Sequence, residues 1–260
     1  MADLLIRALV GAAISGFVSV LAHRAHALST SGAITGSAMG TIAIAAGWSW
    51  GALLLSMFLS VSLVSRIGAA EKRKRLAGMV AKGGNRDAVQ LLANGAVYTV
   101  AALGSLLAPG QAWYAIAAGA LSFSAADTWA TEIGTLAKGD PRSVVSGRRV
   151  APGTSGGVSA RGTLGAIGGG LFIASLAKFA GWPVSFAAIL LGGVLAAFAD
   201  SVIGATLQVQ RWCPTCSKPT ERDIHDCGTH TDIVGGVRVL NNDAVNAVCS
   251  VVGALIVLVL

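Results

Sequence analysis

Ala126-Asp127-Thr128-Trp129-Ala130-Thr131-Glu132-Ile133-Gly134 closes an apolar run, and Pro152-Gly153-Thr154-Ser155-Gly156-Gly157-Val158 lies in the basic loop after it. Gly168-Gly169-Gly170 lies in the apolar run that comes next. Carboxylates at the edge of hydrocarbon, then cations and glycines, then hydrocarbon again, is an order suited to a polyphosphate–metal site at a membrane surface. Carboxylates hold Mg²⁺, Lys and Arg neutralise phosphate, and glycines let backbone N–H groups approach the oxygens. The flanking apolar runs read as membrane-spanning helices, and an acceptor substrate would lie between them.

Composition agrees. The chain is 54% hydrophobic and 12% charged, with a mean hydropathy of +0.70, whereas a soluble domain carries about 25% charged residues. Eight spans can be drawn, at 4–22, 30–47, 50–66, 88–108, 112–137, 162–181, 183–207 and 239–260. The fold class is an all-α, polytopic helical membrane protein, with 1–260 as a single integral membrane domain. The first run contains Arg7 and follows no basic segment, so it reads as a span and not as a cleavable signal. Apart from Arg7 and Lys178, every Lys and Arg lies in the loops 23–29, 67–87, 138–161 and 208–238 or beside them at Arg66. With eight spans these loops share one side, which the positive-inside rule makes the cytoplasmic side of the inner membrane. Both termini then lie outside. The net charge of +7 follows loop position, and the 6% aromatics are not interleaved with it, which argues against a nucleic-acid partner.

Several polar groups sit where lipid makes them costly. Asp127 and Glu132 are five residues apart, about 140° around a helix, so they meet at one ion only if the helix ends between them or another helix completes the site. Ala199-Asp200-Ser201 repeats Ala126-Asp127-Thr128, which suggests parallel hairpin repeats. Asp127, Glu132 and Asp200 are the expected Mg²⁺ ligands. Asp87, Gln90, Asn94 and Tyr98 form a polar stripe entering the fourth span, after the glycine-rich Lys82-Gly83-Gly84-Asn85-Arg86. Asn241, Asn242, Asp243 and Asn246 open the last span. Candidate nucleotide and phosphate contacts are Arg86, Asn94, Gly153, Thr154, Ser155, Gly156, Gly157, Asn242, Asp243 and Asn246. Lys138, Arg142 and Arg148 are candidate catalytic cations, since Arg grips phosphate with a bidentate fork and Lys with a point charge. Glu71-Lys72-Arg73-Lys74-Arg75 reads as a patch for anionic lipid head groups. Gly162, Gly165, Gly168, Gly169 and Gly170 give close-packing spacing in the sixth span.

The loop 208–238 carries Cys213-Pro214-Thr215-Cys216, then His225, Cys227 and His230. Three cysteines with one of the two histidines would make a closed tetrahedral Zn²⁺ site, a redox pair or unligated thiols being the alternatives, and a reducing compartment argues against disulfides. Cys249, inside a span, reads as packing.

Six segments, taken together, resemble the phytyl-phosphate kinase family, which also contains transmembrane protein 19. They are Leu28–Ala33, Arg86–Gly95, Asp127–Glu132, Pro152–Ser159, Asp200–Gln208 and Asn242–Asn246. The resemblance implies transfer of a phosphoryl group from a nucleoside triphosphate, CTP being the usual donor, to an isoprenyl monophosphate such as phytyl phosphate. More distantly, the arrangement is similar to CTP-using lipid kinases and cytidylyltransferases. The expected partners are a nucleoside triphosphate, CTP being favoured, an isoprenyl monophosphate and the bilayer; whether the chain also forms a homo-oligomer is left open by the sequence. The alternatives are a transporter or channel with intramembrane carboxylates, and a CTP-dependent nucleotidyltransferase that releases pyrophosphate.

Overall fold

The computed structural model describes residues 2–79 and 84–260. Lys82 and Gly83 of the glycine-rich stretch lie outside the described residues. Each expected span is a helix: α1 (Ala2–Arg24), α2 (Thr30–Ala46), α3 (Trp48–Arg66), α5 (Ala88–Leu107), α6 (Gln111–Thr135), α7 (Ala160–Phe179), α8 (Phe186–Thr206) and α9 (Asn242–Val259). A short α4 (Ala69–Arg75) lies between α3 and α5. Six of the long helices are long and apolar enough to cross a membrane, α2 and α6 being the two outside that set. α2 has only 17 residues. The 25-residue α6 is long enough, but it carries the polar residues of the site and is buried without a break from Ala117 to Ala126.

The loops contain two small sheets that the sequence reading treats as plain loop. β1 (Arg142–Ser143) pairs with β2 (Gly157–Val158), and β3 (Gln210–Cys213) lies between β4 (Lys218–Thr220) and β5 (Asp232–Gly235).

Side chains start most helices. Ser29, Ser159, Ser185 and Asn241 accept from the N–H three residues on, at the starts of α2, α7, α8 and α9. Asp87 and Gln90 form a reciprocal capping box at α5. The first two members of the polar stripe therefore start a helix.

The four basic loops meet. Ser29 N–H donates to Arg86 O and Arg86 N–H to Ala27 O, both at 3.0 Å, while Glu221 N–H donates to Met79 O at 2.8 Å. Arg75 Nη1 donates to Thr135 O at 2.8 Å and to Ala137 O, capping α6. At the opposite end the uncharged turns share an aromatic cluster. The Trp50 ring centroid is 4.8 Å from that of Trp182 and 5.2 Å from that of Tyr114, and Trp182 Nε1 donates to Ser49 Oγ at 3.1 Å. Tyr98 belongs to this cluster, donating its hydroxyl to Trp50 O at 2.6 Å.

α6 is the axis. A Cβ on Gly165 of α7 would stand 2.6 Å from Trp129 O, and one on Gly169 would stand 2.6 Å from Ala125 O. The same test puts Gly193 of α8 2.1 Å from Ser122 Oγ and Gly253 of α9 2.8 Å from Gly119 O. Three neighbours thus touch α6 through bare backbone, the close approach that packs helices in lipid.

Candidate functional site

A cavity of about 840 Å³ opens beneath the basic loops. α6 and α8 bring Asp127, Glu132 and Asp200 to it, beside Asp243 of α9 and Glu221 and Asp223 of the loop before β5. Asp127 lies eight residues before the end of α6 and Asp200 six before the end of α8, roughly 12 and 9 Å along the helix axes. They are close enough to act on each other's charge, and the Cys249 thiol of α9 stands against Asp200. Cys249 therefore borders the carboxylate instead of packing among apolar groups alone.

The N-terminal turns of α5, α7 and α9 supply the opposite polarity, with Gln90, Gly162 and Asn242 on the wall. Unpaired N–H groups and the positive end of the helix dipole make such turns favourable for phosphate. The wall also carries Arg75, Arg86, Arg211 and Arg238. Arg86 Nη1 and Nη2 donate to Ser62 Oγ at 3.3 Å and Ser65 Oγ at 3.0 Å. Burial lowers its pKa, opposed by the carboxylate of Glu132. The glycine of the Ser-Thr-Ser-Gly segment that opens α2 has a steric reason, since a Cβ on Gly32 would stand 2.2 Å from Arg86 O.

The glycine loop folds over the end of α8. Gly156 has φ +76°, and a Cβ on it would meet Ser201 O at 2.6 Å, so a side chain is excluded both by space and by the left-handed backbone. Beside it, Ser155 Oγ donates to Glu221 Oε1 at 3.0 Å, while Gln208 Nε2 donates to Ser155 Oγ at 2.8 Å and to Glu221 Oε1 at 3.1 Å.

Most residues singled out in the sequence reach this cavity: Asp127, Glu132, Asp200, Arg86, Asn94, Gly153 to Gly157, Asn242, Asp243 and Asn246 all line it. Three do not. Lys138, Arg142 and Arg148 are exposed and off the wall: Lys138 precedes the β1–β2 ribbon, Arg148 lies in the loop between its strands, and Arg142 Nη1 donates to Gly147 O at 2.8 Å. The cations of the cavity are instead four arginines from other loops. Glu132 also differs from expectation. Its Oε2 pairs with Lys72 Nζ, which is buried and also donates to Ser65 O at 2.7 Å. That pairing leaves Asp127 and Asp200 as the carboxylates facing one another. It also means that Lys72 and Arg75, one turn apart on α4, point into the protein, while Arg73 and Lys74 stay exposed.

The residues fit a divalent cation. Among the described residues, Asp200 Oδ2 and Asn94 Oδ1 are buried without a hydrogen-bond partner, and both residues line the cavity. Buried oxygens of this kind carry a desolvation cost that a hard cation would offset. Asp127, Asp200, Asn94 and Asn246 all line the cavity and each offers a side-chain oxygen, the ligand type a hard cation such as Mg²⁺ takes.

A second cavity, of about 310 Å³ and almost wholly apolar, lies among α1, α2, α3 and α5. It shares Arg86, Gln90, Asn94 and Thr128 with the polar cavity. On α3 its lining runs from Trp48 to Val61, a rise of roughly 20 Å.

The family model for "Integral membrane protein DUF92" matches residues 13–254, and the chain belongs to that family. The chain is similar to Protein PGR of Arabidopsis thaliana, with 29% identity over 266 residues covering 90% of this chain and 89% of the relative. An uncharacterized membrane protein of Methanocaldococcus jannaschii is 25% identical over 98% of this chain and 94% of its own length. One from Synechocystis is 33% identical over 65% of this chain and 66% of its own length. No solved structure matches. The membership is consistent with the resemblance to phytyl-phosphate kinases and transmembrane protein 19, and it makes the protein an integral membrane protein.

Proposed function

We propose that this protein is a kinase that phosphorylates an isoprenyl monophosphate with CTP at the cytoplasmic leaflet. The observation that carries the reading is the junction of the two cavities. A carboxylate-bearing polar chamber under three helix N-termini shares Arg86, Gln90, Asn94 and Thr128 with an apolar chamber inside the membrane part. One substrate would be polyphosphate and the other a phosphate on a hydrocarbon tail, and the wall offers each the surroundings it needs. The motif resemblance to phytyl-phosphate kinases supports the same substrate pair.

In the reaction, an oxygen of the lipid phosphate attacks the γ-phosphorus of CTP. The bond from that phosphorus to the β,γ-bridging oxygen breaks, and CDP leaves with the bond's electron pair. The acceptor is already ionised at neutral pH, so no strong base is required. The chain's task is positioning and charge neutralisation, which supply nearly all of phosphoryl-transfer catalysis. Asp127 and Asp200 would hold Mg²⁺, which would supply positive charge to offset that of the donor phosphates. Arg86, at the junction, would hold the acceptor phosphate. Arg75, Arg211 and Arg238, with the turns starting at Ser159 and Asn241, would hold the nucleotide phosphates. The basic face is cytoplasmic by the positive-inside rule, which also puts it on the side where CTP is available.

The depth of the carboxylates favours an enzyme over a transporter. Asp127 and Asp200 lie in the basic-side parts of their helices, whereas alternating access needs a site near the midplane. The test is to incubate the purified protein with CTP, Mg²⁺ and isoprenyl monophosphates of graded length and to identify both products by mass. A lipid diphosphate with CDP is expected. Pyrophosphate with a CDP-lipid would make it a nucleotidyltransferase, and no turnover together with ion flux in liposomes would make it a transporter.

A further inference from the structure

The loop between α8 and α9 brings four soft ligands together at some distance along the chain. Cys213 ends β3, Cys216 lies in the turn to β4, and His225 and Cys227 lie in the segment before β5. One ligand atom from each of the four lies within 4.8 Å of the others. We infer that Cys213, Cys216, His225 and Cys227 bind one Zn²⁺, and that this ion braces Glu221 on the wall of the polar cavity.

Geometry supports the ligand set. Zn–S bonds of about 2.3 Å in a tetrahedron separate the sulfurs by about 3.8 Å, and Cys213 Sγ and Cys227 Sγ are 3.6 Å apart. His225 Nδ1 is 3.3 Å from Cys227 Sγ, near the separation expected for a nitrogen and a sulfur on one such ion. All the cysteines are free thiols. The first cysteine pair turns as a metal knuckle does: Cys216 N–H donates to Cys213 Sγ at 3.4 Å, and Ser217 takes φ +49° to complete the turn. That strained backbone at a non-glycine residue needs something to hold it. His230 lies outside the cluster, bridging to Ile224, so of the two histidines the sequence offers, His225 is the ligand.

The other face of the imidazole is fixed as well. A Cβ on Gly78 would stand 2.9 Å from His225 Nε2, so the ring packs on the turn after α4, where only glycine fits. Between the two ligand pairs lie Thr220 and Glu221. Thr220 Oγ1 donates to Gly78 O at 2.8 Å, and Glu221 links Met79, Ser155 and Gln208. An ion clamping residues 213 and 216 to 225 and 227 closes the segment that carries these contacts. The ion takes the three cysteines as thiolates, so binding releases the protons those groups still carry, while His225 enters neutral through Nδ1. No redox change is involved.

The test reads metal, not turnover, so its result is independent of the proposed kinase activity. Protein purified under reducing conditions, without chelator or metal resin, should carry one zinc per chain by mass spectrometry. Co²⁺ exchanged into it should give the thiolate-to-cobalt charge-transfer band and intense tetrahedral d–d bands. Cys216→Ser and His225→Ala should lose the zinc, while His230→Ala and Asp127→Asn keep it. Should Cys216→Ser fail to fold, mercurial titration of the wild-type protein should release one zinc per chain as its thiols react. Wild-type protein without zinc and without a cobalt spectrum would overturn the assignment. So would a Cys213–Cys227 disulfide in protein from a reducing compartment, or loss of zinc in His230→Ala with retention in His225→Ala.

Discussion

Asp200→Asn isolates one buried oxygen. Oδ2 of Asp200 has no hydrogen-bond partner among the described residues, and Asp127 is close enough to act on its charge. The amide is nearly isosteric, so packing in α8 is unchanged. What changes is one negative charge, and with it the ability to ligate a hard cation. In chelator the variant should be at least as stable as the wild type, because a like charge has left a low-dielectric site. In Mg²⁺ the order reverses. At 100 times its Kd the ion adds about 2.7 kcal/mol to a protein that binds it. At ~2–4 °C per kcal/mol for a chain of this size, the wild type should rise by roughly 5–11 °C and the variant by little. Loss of one preorganised electrostatic contact is worth about 3–4 kcal/mol in catalysis, so kcat should fall by roughly 10²–10³. The assay is thermal unfolding of monodisperse, solubilised protein in chelator and across a Mg²⁺ titration, beside CTP-dependent diphosphate formation. Equal Mg²⁺ shifts in both proteins, or turnover within a few-fold of wild type, would refute the reasoning.

Other perturbations test the frame and the second cavity. Lys72→Met should destabilise by about 3 kcal/mol, because it strands the half-buried Glu132. Adding Glu132→Gln should recover much of that, and an unchanged melting curve for the single variant would mean that the pair is idle. Gly165→Ala puts a methyl group 2.6 Å from Trp129 O, whereas nothing lies within 4 Å of a Cβ on Gly16. The first should cost about 1–3 kcal/mol as overpacking and the second should be neutral; similar melting temperatures would count against a rigid α6–α7 seam. Ala52→Phe, at the apolar cavity's far end from Arg86, should raise KM for long isoprenyl phosphates and spare short ones. A uniform change across chain lengths would mean that the tail lies elsewhere.

The helices were legible because eight apolar runs alternate with basic loops and uncharged turns, and capping residues stand at most of their starts. Asp127 and Asp200 were legible as one site because the same Ala-Asp-hydroxyl triplet ends two spans that run in the same direction. Side-chain direction was not. Lys72 and Arg75 read as part of a lipid-facing patch because a basic run beside a membrane has a sufficient explanation in topology alone. Only the docking of α4 against α6 turns them inward. Lys138, Arg142 and Arg148 have the charge that phosphate requires, but a two-residue ribbon is too short to announce itself by alternation, and the loop around it leaves all three exposed. Arg211 and Arg238 carried no local signal that separates them from any other loop arginine. Tyr98 lies on the polar stripe by spacing, yet its hydroxyl belongs to Trp50 at the other end of the molecule.

The glycine seams around α6 bear on how the protein is made. α6 is the most enclosed helix, yet it is not among those apolar enough to cross a membrane unaided. Asp127, Glu132 and its serines and threonines tax its entry into lipid. Three of its four main neighbours, α7, α8 and α9, are synthesised after it, and they offer backbone surfaces that match it only once they too are in the bilayer. The expectation is that α6 inserts stably only together with α7, and truncations ending before and after α7 would show it as a change in α6 insertion. The polar residues that α6 brings to the cavity are thus the ones that tie its insertion to helices made later in the chain.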